Sequence, residues 1–246
     1  MLKLICVGSG STGNCYLLYH GEDVLIIDCG LPFKEIKEGL MHNILGIKGV
    51  IVTHAHQDHS YSIKDFRRLH IPVFTPYEEA NKKPSKVQIG DFTITAMPLL
   101  DKNMEHWQHT NGDGSECPCY AFLIEVDDQR ILYVTDTKLL VWNLSKWQIT
   151  HMLIGMNYIP ESLSKEEFKT KHIVTGHMSL TAAKEIVNAN LTDALDTVIL
   201  CHLSKGITNR DKCIEEMSNV AKYVRIDVAD KNKEWKLYGS KECPFY

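Results

Sequence analysis

Three imidazoles and a carboxylate fall within six residues in the stretch Thr53-His54-Ala55-His56-Gln57-Asp58-His59-Ser60. Imidazole nitrogen and carboxylate oxygen at this density suit Zn²⁺, Mn²⁺ or Fe rather than Ca²⁺ or Mg²⁺, which prefer shells of oxygen alone. His54 and His56 can point at one centre while Asp58 and His59 point at a second beside it. The apolar run Val50-Ile51-Val52 comes just before. It is short, β-branched and followed by no helix-period pattern, so it reads as a buried strand with the four side chains on the loop at its end. Unrelated histidines on a polar surface loop are the alternative. The further His and Asp residues at other strand ends weigh against it.

The elements that must carry this loop alternate along the chain. Residues 2–7 read as a strand, and Gly8-Ser9-Gly10-Ser11-Thr12-Gly13 is literally GxGxxG. A dinucleotide site needs a helix after those glycines. Here Asn14-Cys15-Tyr16-Leu17-Leu18-Tyr19 is a second strand and 24–27 a third, so the pattern is a meander with a glycine-rich turn. Asp28 ends the third strand and is expected to hold the ligand loop by hydrogen bonds rather than touch metal. Pro32 opens a helix to about residue 42, with Phe33, Ile36, Leu40 and Met41 near helical spacing. Ser60 is expected to cap a helix over 61–70. Strands are expected at 72–75, 92–97, 120–126, 129–135, 151–156 and 197–201, with 81–86 a loop. A helix at 209–221 and strands near 223–228 and 234–238 close the chain.

Several further residues sit where chemistry is plausible. The irregular segment 99–119 holds His106 and His109, the latter heading the polar run His109-Thr110-Asn111-Gly112. Asp136 ends the strand 129–135 and His202 ends the strand 197–201. Thr175-Gly176-His177-Met178-Ser179 opens an amphipathic helix to about residue 190, whose start offers N–H donors to an anion. His20, His42, His70, His151 and His172 are read as structural. Cys117-Pro118-Cys119 has one residue between its thiols, not two, and reads as a loop bend rather than a redox or metal site.

The HxHxDH run after a hydrophobic strand resembles the signature of the metallo-β-lactamase-fold hydrolases. SGSTGNCYLL is similar to the SGSxGNxxLL opening of the YycJ/WalJ-like branch, and Asn157-Tyr158 to its EANYD segment, with Gly155 in place of the Glu. Any contribution that Glu makes in relatives is then absent here or comes from elsewhere, Glu161 being a weak candidate. Thr175–Ala183 resembles the GHSTAxxAA motif of the RNase Z group. The resemblance implies a single domain over 1–246, built as an α/β αββα sandwich of two mixed sheets packed face to face with helices outside. It also implies two divalent transition-metal ions, Zn²⁺ first and Mn²⁺ second. His54, His56 and His109 would hold one (ligands in this fold commonly head a turn, as His109 does, with His106 the runner-up), Asp58, His59 and His202 the other, and Asp136 would bridge them. His177 and Asp58 become the catalytic groups, with Ser11, Asn14, Asn157, Ser179, Ser204 and Lys205 around the substrate. The implied reaction is hydrolysis of a nucleotide phosphodiester by a metal-bound hydroxide. A 3′,5′-cyclic mononucleotide, as for phage anti-Pycsar proteins, ranks first; DNA or RNA, as for YycJ/WalJ-like nucleases, ranks second; other esters or thioesters come last. A homodimer is the family-based expectation.

Bulk composition bears on that ranking. The 246 residues suffice for one α/β domain and show no linker or low-complexity tract. A net charge of −4 with no basic cluster larger than two or three residues favours a small substrate over a long polynucleotide. Eight cysteines lie scattered, several within apolar runs, as expected of free thiols in a reducing cytoplasm. No apolar run approaches membrane-spanning length, and the sequence reads as a cytoplasmic protein without a signal peptide or membrane partner.

Overall fold

The computed structural model describes residues 2–163, 176–204 and 208–238. Lys205, His172, Cys243 and the Thr175 that opens the RNase Z-like motif lie outside them. Two sheets face each other. The first runs in the order β15-β1-β2-β3-β4-β5, from β1 (Leu2–Gly8), β2 (Cys15–His20), β3 (Asp23–Ile27), β4 (Ile47–Ile51), β5 (Val73–Phe74) and β15 (Glu234–Leu237). The second runs β14-β13-β12-β11-β10-β7-β6. Its strands are β6 (Ser85–Ile89), β7 (Phe92–Pro98), β10 (Tyr120–Val126), β11 (Gln129–Val134), β12 (His151–Gly155), β13 (Thr197–Cys201) and β14 (Arg225–Val228). A two-stranded ribbon of β8 (His109–Thr110) and β9 (Glu116–Cys117) stands apart from both.

Each sheet is covered on both faces, which is why its central strands read as unbroken apolar runs rather than alternating ones. Leu4, Tyr16, Leu25, Ile27 and Ile51 of the first sheet meet Phe92, Ile94, Phe122, Tyr133 and Ile199 of the second in one core. The outer face of the first sheet packs Leu17, Ile26 and Val50 against Ile36 of α1 (Phe33–Gly39) and Phe66 of α3 (Ile63–Arg68). The outer face of the second packs Leu132, Ile154 and Leu200 against α5 (Leu180–Ala189) and α6 (Arg210–Val220). This is the αββα sandwich. The short helices α2 (Gln57–Ser60) and α4 (Pro76–Glu79) are also present, and single 3-10 turns occur at Ser145–Trp147 and Pro160–Ser162.

Parallel pairing decides where function can sit. β3, β4 and β5 run parallel in the first sheet, and β11, β12, β13 and β14 run parallel in the second. Carboxyl ends of parallel strands lie along one edge, so residues after β3, β4, β11, β12 and β13 come to a common rim.

Several boundaries differ from expectation. The expected helix to residue 42 ends at Gly39, and Met41 is exposed at positive φ beyond it instead of on the apolar face. Ser60 caps nothing: its hydroxyl donates back to the carbonyls of Ala55 and His56, closing α2, and α3 begins after Ser62. The helix expected from Thr175 begins at Leu180. Ser179 is its N-cap, accepting from the Ala182 amide. Ser85–Ile89, read partly as loop, is an edge strand paired to β7.

Candidate metal centre

Sharp turns at the rim aim the side chains. Asp28 after β3, Asp136 after β11 and His202 after β13 all adopt left-handed backbone, with φ of 55°, 50° and 57°. Non-glycine residues there cost of order 1–3 kcal/mol and persist where surrounding structure compels them. The ligand loop after β4 is seated as closely. Gly30 lies so near the Asp58 carbonyl that any Cβ would overlap it, and the Asn14 amide donates to the same oxygen at 2.7 Å. Glycine at 30 is therefore a steric requirement of the loop.

Behind the loop, Asp28 is a fully buried hub. It accepts from the Thr53 amide (2.8 Å), from His59 Nδ1 (2.7 Å) and from the hydroxyl of Tyr133 on the opposite sheet (2.7 Å). The Thr53 hydroxyl donates to Asp28 and faces His54 Nδ1 at 3.0 Å. His109 Nδ1 faces the Gly176 carbonyl at 3.0 Å, and His56 Nε2 faces Asn111 Oδ1 at 3.2 Å. An oxygen acceptor on one ring nitrogen assigns the proton there and leaves the other nitrogen with its lone pair. The inward nitrogens of His54, His56 and His109 are thus lone pairs, while His59, with a carboxylate oxygen at each ring nitrogen, presents one only when a cation displaces its second proton.

That assignment tests whether the residues fit a metal. His109 Nε2 and His56 Nδ1 stand 2.9 Å apart, lone pair to lone pair, and repel unless a proton or cation lies between them. The donor atoms fall into three overlapping groups, each within 4.8 Å: His54, His56 and His109; His54, His59 and Asp136; Asp58, His59 and His202. Asp136 Oδ2 lies 3.1 Å from His59 Nε2 and 3.7 Å from His202 Nε2, while Asp58 Oδ2 is 3.3 Å from His202 Nε2. Nitrogen and oxygen donors in this mixture fit a divalent transition metal.

Electrostatics match. Burial, reinforced by His59 and His109, holds His54 well below the usual imidazole range, and burial lowers His109 to about 4. Both are therefore neutral and able to donate a lone pair. Burial alone would push His59 and His202 down, yet the carboxylates of Asp28, Asp136 and Asp58 outweigh it and raise both. Burial likewise disfavours charge on Asp136, but His202, His177 and His59 hold its carboxyl well below the usual range. Asp58 is lowered in the same way, burial being outweighed by His202. Without a cation, imidazolium charge balances these carboxylates. A cation that binds replaces those protons.

The structure brings His54, His56, Asp58, His59, His109, Asp136 and His202 to one rim, and His177 joins them with Nδ1 3.1 Å from Asp136 Oδ1. His106 does not join. It is exposed, with Nδ1 2.6 Å from Glu116 Oε1. Of the residues expected around the substrate, Asn14, Asn157 and Ser179 are engaged with the protein itself, while Ser11 and Ser204 keep exposed or partly exposed surface. Asn14 is fully buried, exchanging hydrogen bonds with Gly10 and contacting His59 Nε2 at 3.1 Å, so it has no surface for a substrate. Asn157 is buried as well: its Oδ1 accepts from the Met178 amide, and its Nδ2 lies 2.8 Å from His202 Nδ1. Ser179 is occupied as the helix cap described above, which also fills a donor expected to meet an anion. Ser204 is half-buried, its amide donating to the Asn157 carbonyl, and Ser11 is exposed on the glycine turn.

Glu161 is exposed near Lys212 and supplies nothing to the rim. Gly155 explains the missing Glu, since a Cβ there would meet Thr135 Oγ1 at 2.8 Å. Residues the sequence did not single out include Tyr133 on Asp28, and Ser9, whose hydroxyl oxygen accepts from the His202 amide (2.8 Å) and from Tyr16 (2.9 Å). Only their strand-end positions could have drawn notice. Cys117 and Cys119 are buried free thiols, the latter 3.7 Å from His54 Nδ1.

Comparison with known proteins bears on this site. Residues 8–92 match the model of the metallo-beta-lactamase superfamily. A hydroxyacylglutathione hydrolase from Tolumonas auensis is 26% identical over 118 residues, which are 47% of this chain and 45% of that protein. The match spans less than half the length of that relative. The fold is similar to that of the metallo-beta-lactamase fold protein YhfI from Bacillus subtilis, with a TM-score of 0.68 and 17% identity over 95% of this chain and 98% of the other. Yeast PDE1 gives 0.62 and 12% over 95% and 99% of the two chains. The short form of human tRNase Z gives 0.61 and 12% over 96% and 99%. At these identities the likeness is one of fold.

Proposed function

We infer that this chain, whose fold and residues 8–92 are matched in the metallo-β-lactamase superfamily, is a dinuclear-metal-dependent phosphodiesterase. The observation that carries the reading is the complete mixed donor set, Asp58 and Asp136 included, with His177 against the same Asp136 carboxylate. His54, His56 and His109 would hold one ion, Asp58, His59 and His202 the second, with Asp136 between. Two such ions supply Lewis acidity toward a phosphoryl oxygen and a nucleophile at neutral pH.

The chain's own groups do the rest. Asp58, a quarter exposed at the rim, takes a proton from the attacking water. As the new O–P bond forms and the ester P–O bond breaks, His177, oriented by Asp136, gives a proton to the leaving oxygen. Asp28, Thr53 and Gly176 keep the imidazoles turned so that their lone pairs converge.

We place 3′,5′-cyclic mononucleotides first among substrates because the chain is acidic overall and lacks a large basic cluster. The likeness to human tRNase Z supports nucleic acid as the second reading; the hydroxyacylglutathione hydrolase match supports a thioester as a more distant one. The test is a side-by-side assay of metal-loaded protein on cyclic mononucleotides, on 5′-phosphorylated single-stranded DNA and RNA, and on a glutathione thioester. Faster turnover of the cyclic nucleotides is expected, and digestion of the polymers alone would reverse the order. A homodimer is part of the same reading, and a monomer mass by light scattering would remove it.

A further inference from the structure

We infer that Asn111 is a positioning residue that fixes which nitrogen of His56 faces the metal centre. The inference rests on the metal-binding part of the proposed function. His56 is the extended residue just before the four-residue helix Gln57–Ser60 and is only half-buried, so its own loop does less to hold its ring than the buried surroundings of His54 and His59 do. Its Nδ1 points at His109 and its Nε2 at Asn111 Oδ1, 3.2 Å away. A carboxamide oxygen only accepts, so it requires Nε2–H and leaves the lone pair on Nδ1, inside the donor group.

The amide cannot turn over without loss. Its Nδ2 donates to Ser115 Oγ at 2.9 Å, and that hydroxyl has given its own proton to Asp113 Oδ1 at 2.6 Å. A reversed amide would set oxygen against the Ser115 lone pairs and N–H against His56. The backbone fixes Asn111 in turn: its amide donates to the Ser115 carbonyl, and its carbonyl accepts from Gly114, which adopts a φ of +85°. The β8–β9 ribbon therefore delivers two things together, His109 as a donor and Asn111 as the acceptor that sets the tautomer of His56. Were Asn111 only a turn-former, loss of its side chain would loosen the ribbon that carries His109 and lower the metal-free melting temperature together with metal affinity.

The test compares wild type, Asn111→Ala and Asn111→Asp by Zn²⁺ titration against a chromophoric chelator, with thermal unfolding of each metal-free protein alongside. Asn111→Ala is expected to lose about 10–100-fold in affinity for one bound ion, the range for removing a partner of a ligating histidine, with the metal-free melting temperature unchanged. Asn111→Asp keeps an acceptor facing Nε2, and the Ser115 hydroxyl can turn its proton from Asp113 to the new carboxylate oxygen, so affinity should stay within about threefold of wild type. Wild-type affinity in Asn111→Ala, or an equal loss in both variants, overturns the inference. If Asn111→Ala melts early, Asn111→Asp alone decides it. A wild-type protein that takes up no Zn²⁺ sinks the proposed function instead, which keeps the two failures distinct.

Discussion

His177 tests catalysis apart from metal binding. Its ring is a quarter exposed and touches the carboxylate face of Asp136 that is turned away from His59. Replacement by Ala should lower turnover by roughly 10²–10⁴-fold, the usual contribution of a positioned proton donor. Elemental analysis of the variant should show undiminished metal. A wild-type rate would return His177 to a structural role, as a hydrogen-bond partner of Asp136.

Among the elements, the strand ends and the helix after them control the rim. Ser179 caps α5, which also follows His177 by only three residues in sequence. Ser179→Ala should cost about 1 kcal/mol in urea unfolding, the ordinary loss for an N-cap. At the opposite end of the second sheet, His151 begins β12, fully buried, with Nε2 2.8 Å from Gln129 Oε1 and Nδ1 3.8 Å from Asp196 Oδ2. Burial lowers it to about 4. The unfolded chain, with His151 near 6.5, binds the proton first, so the stabilisation is complete above pH 6.5 and is lost as pH falls toward 4. The full difference is about 3 kcal/mol. Equilibrium unfolding of metal-free His151→Gln across pH 4–7 should show a shallower acid limb than wild type. Parallel limbs would mean that His151 stays charged when folded.

At the scale of the whole molecule, both sheets contribute donors: the first supplies His54, His56, Asp58 and His59, the second Asp136 and His202, and the β8–β9 ribbon His109. Ions bound there would tie the halves together and stabilise the native state by mass action. Free Zn²⁺ at 100 times its dissociation constant is worth about 2.7 kcal/mol per site, which for a chain of this size is roughly 5–10 °C in melting temperature. Calorimetry with and without chelator measures it, and elemental analysis should find close to two equivalents. An unchanged melting temperature on reconstitution would argue that the imidazolium–carboxylate balance, not a cation, fills the centre. No helix among the described residues is long and apolar enough to cross a membrane.

The sequence by itself determined the donor types and their attachment to strand ends. Metal chemistry selects His and Asp, and a strand of Val and Ile ending in HxHxDH carries that information locally. Strand positions were legible for the same reason: apolar runs such as 120–126 and 197–201 report burial on both faces. Only the tertiary structure decided between His106 and His109, because both lie in an irregular segment and the choice depends on which one the ribbon turns toward Gly176 and His56. It also shows Asn14, Asn157 and Ser179 hydrogen-bonded to backbone within the scaffold. A short polar side chain near a site looks the same in sequence whether its hydrogen bonds go to a ligand or to backbone, and that allocation is settled by contacts such as Asn157 to Met178, made between elements far apart in the chain.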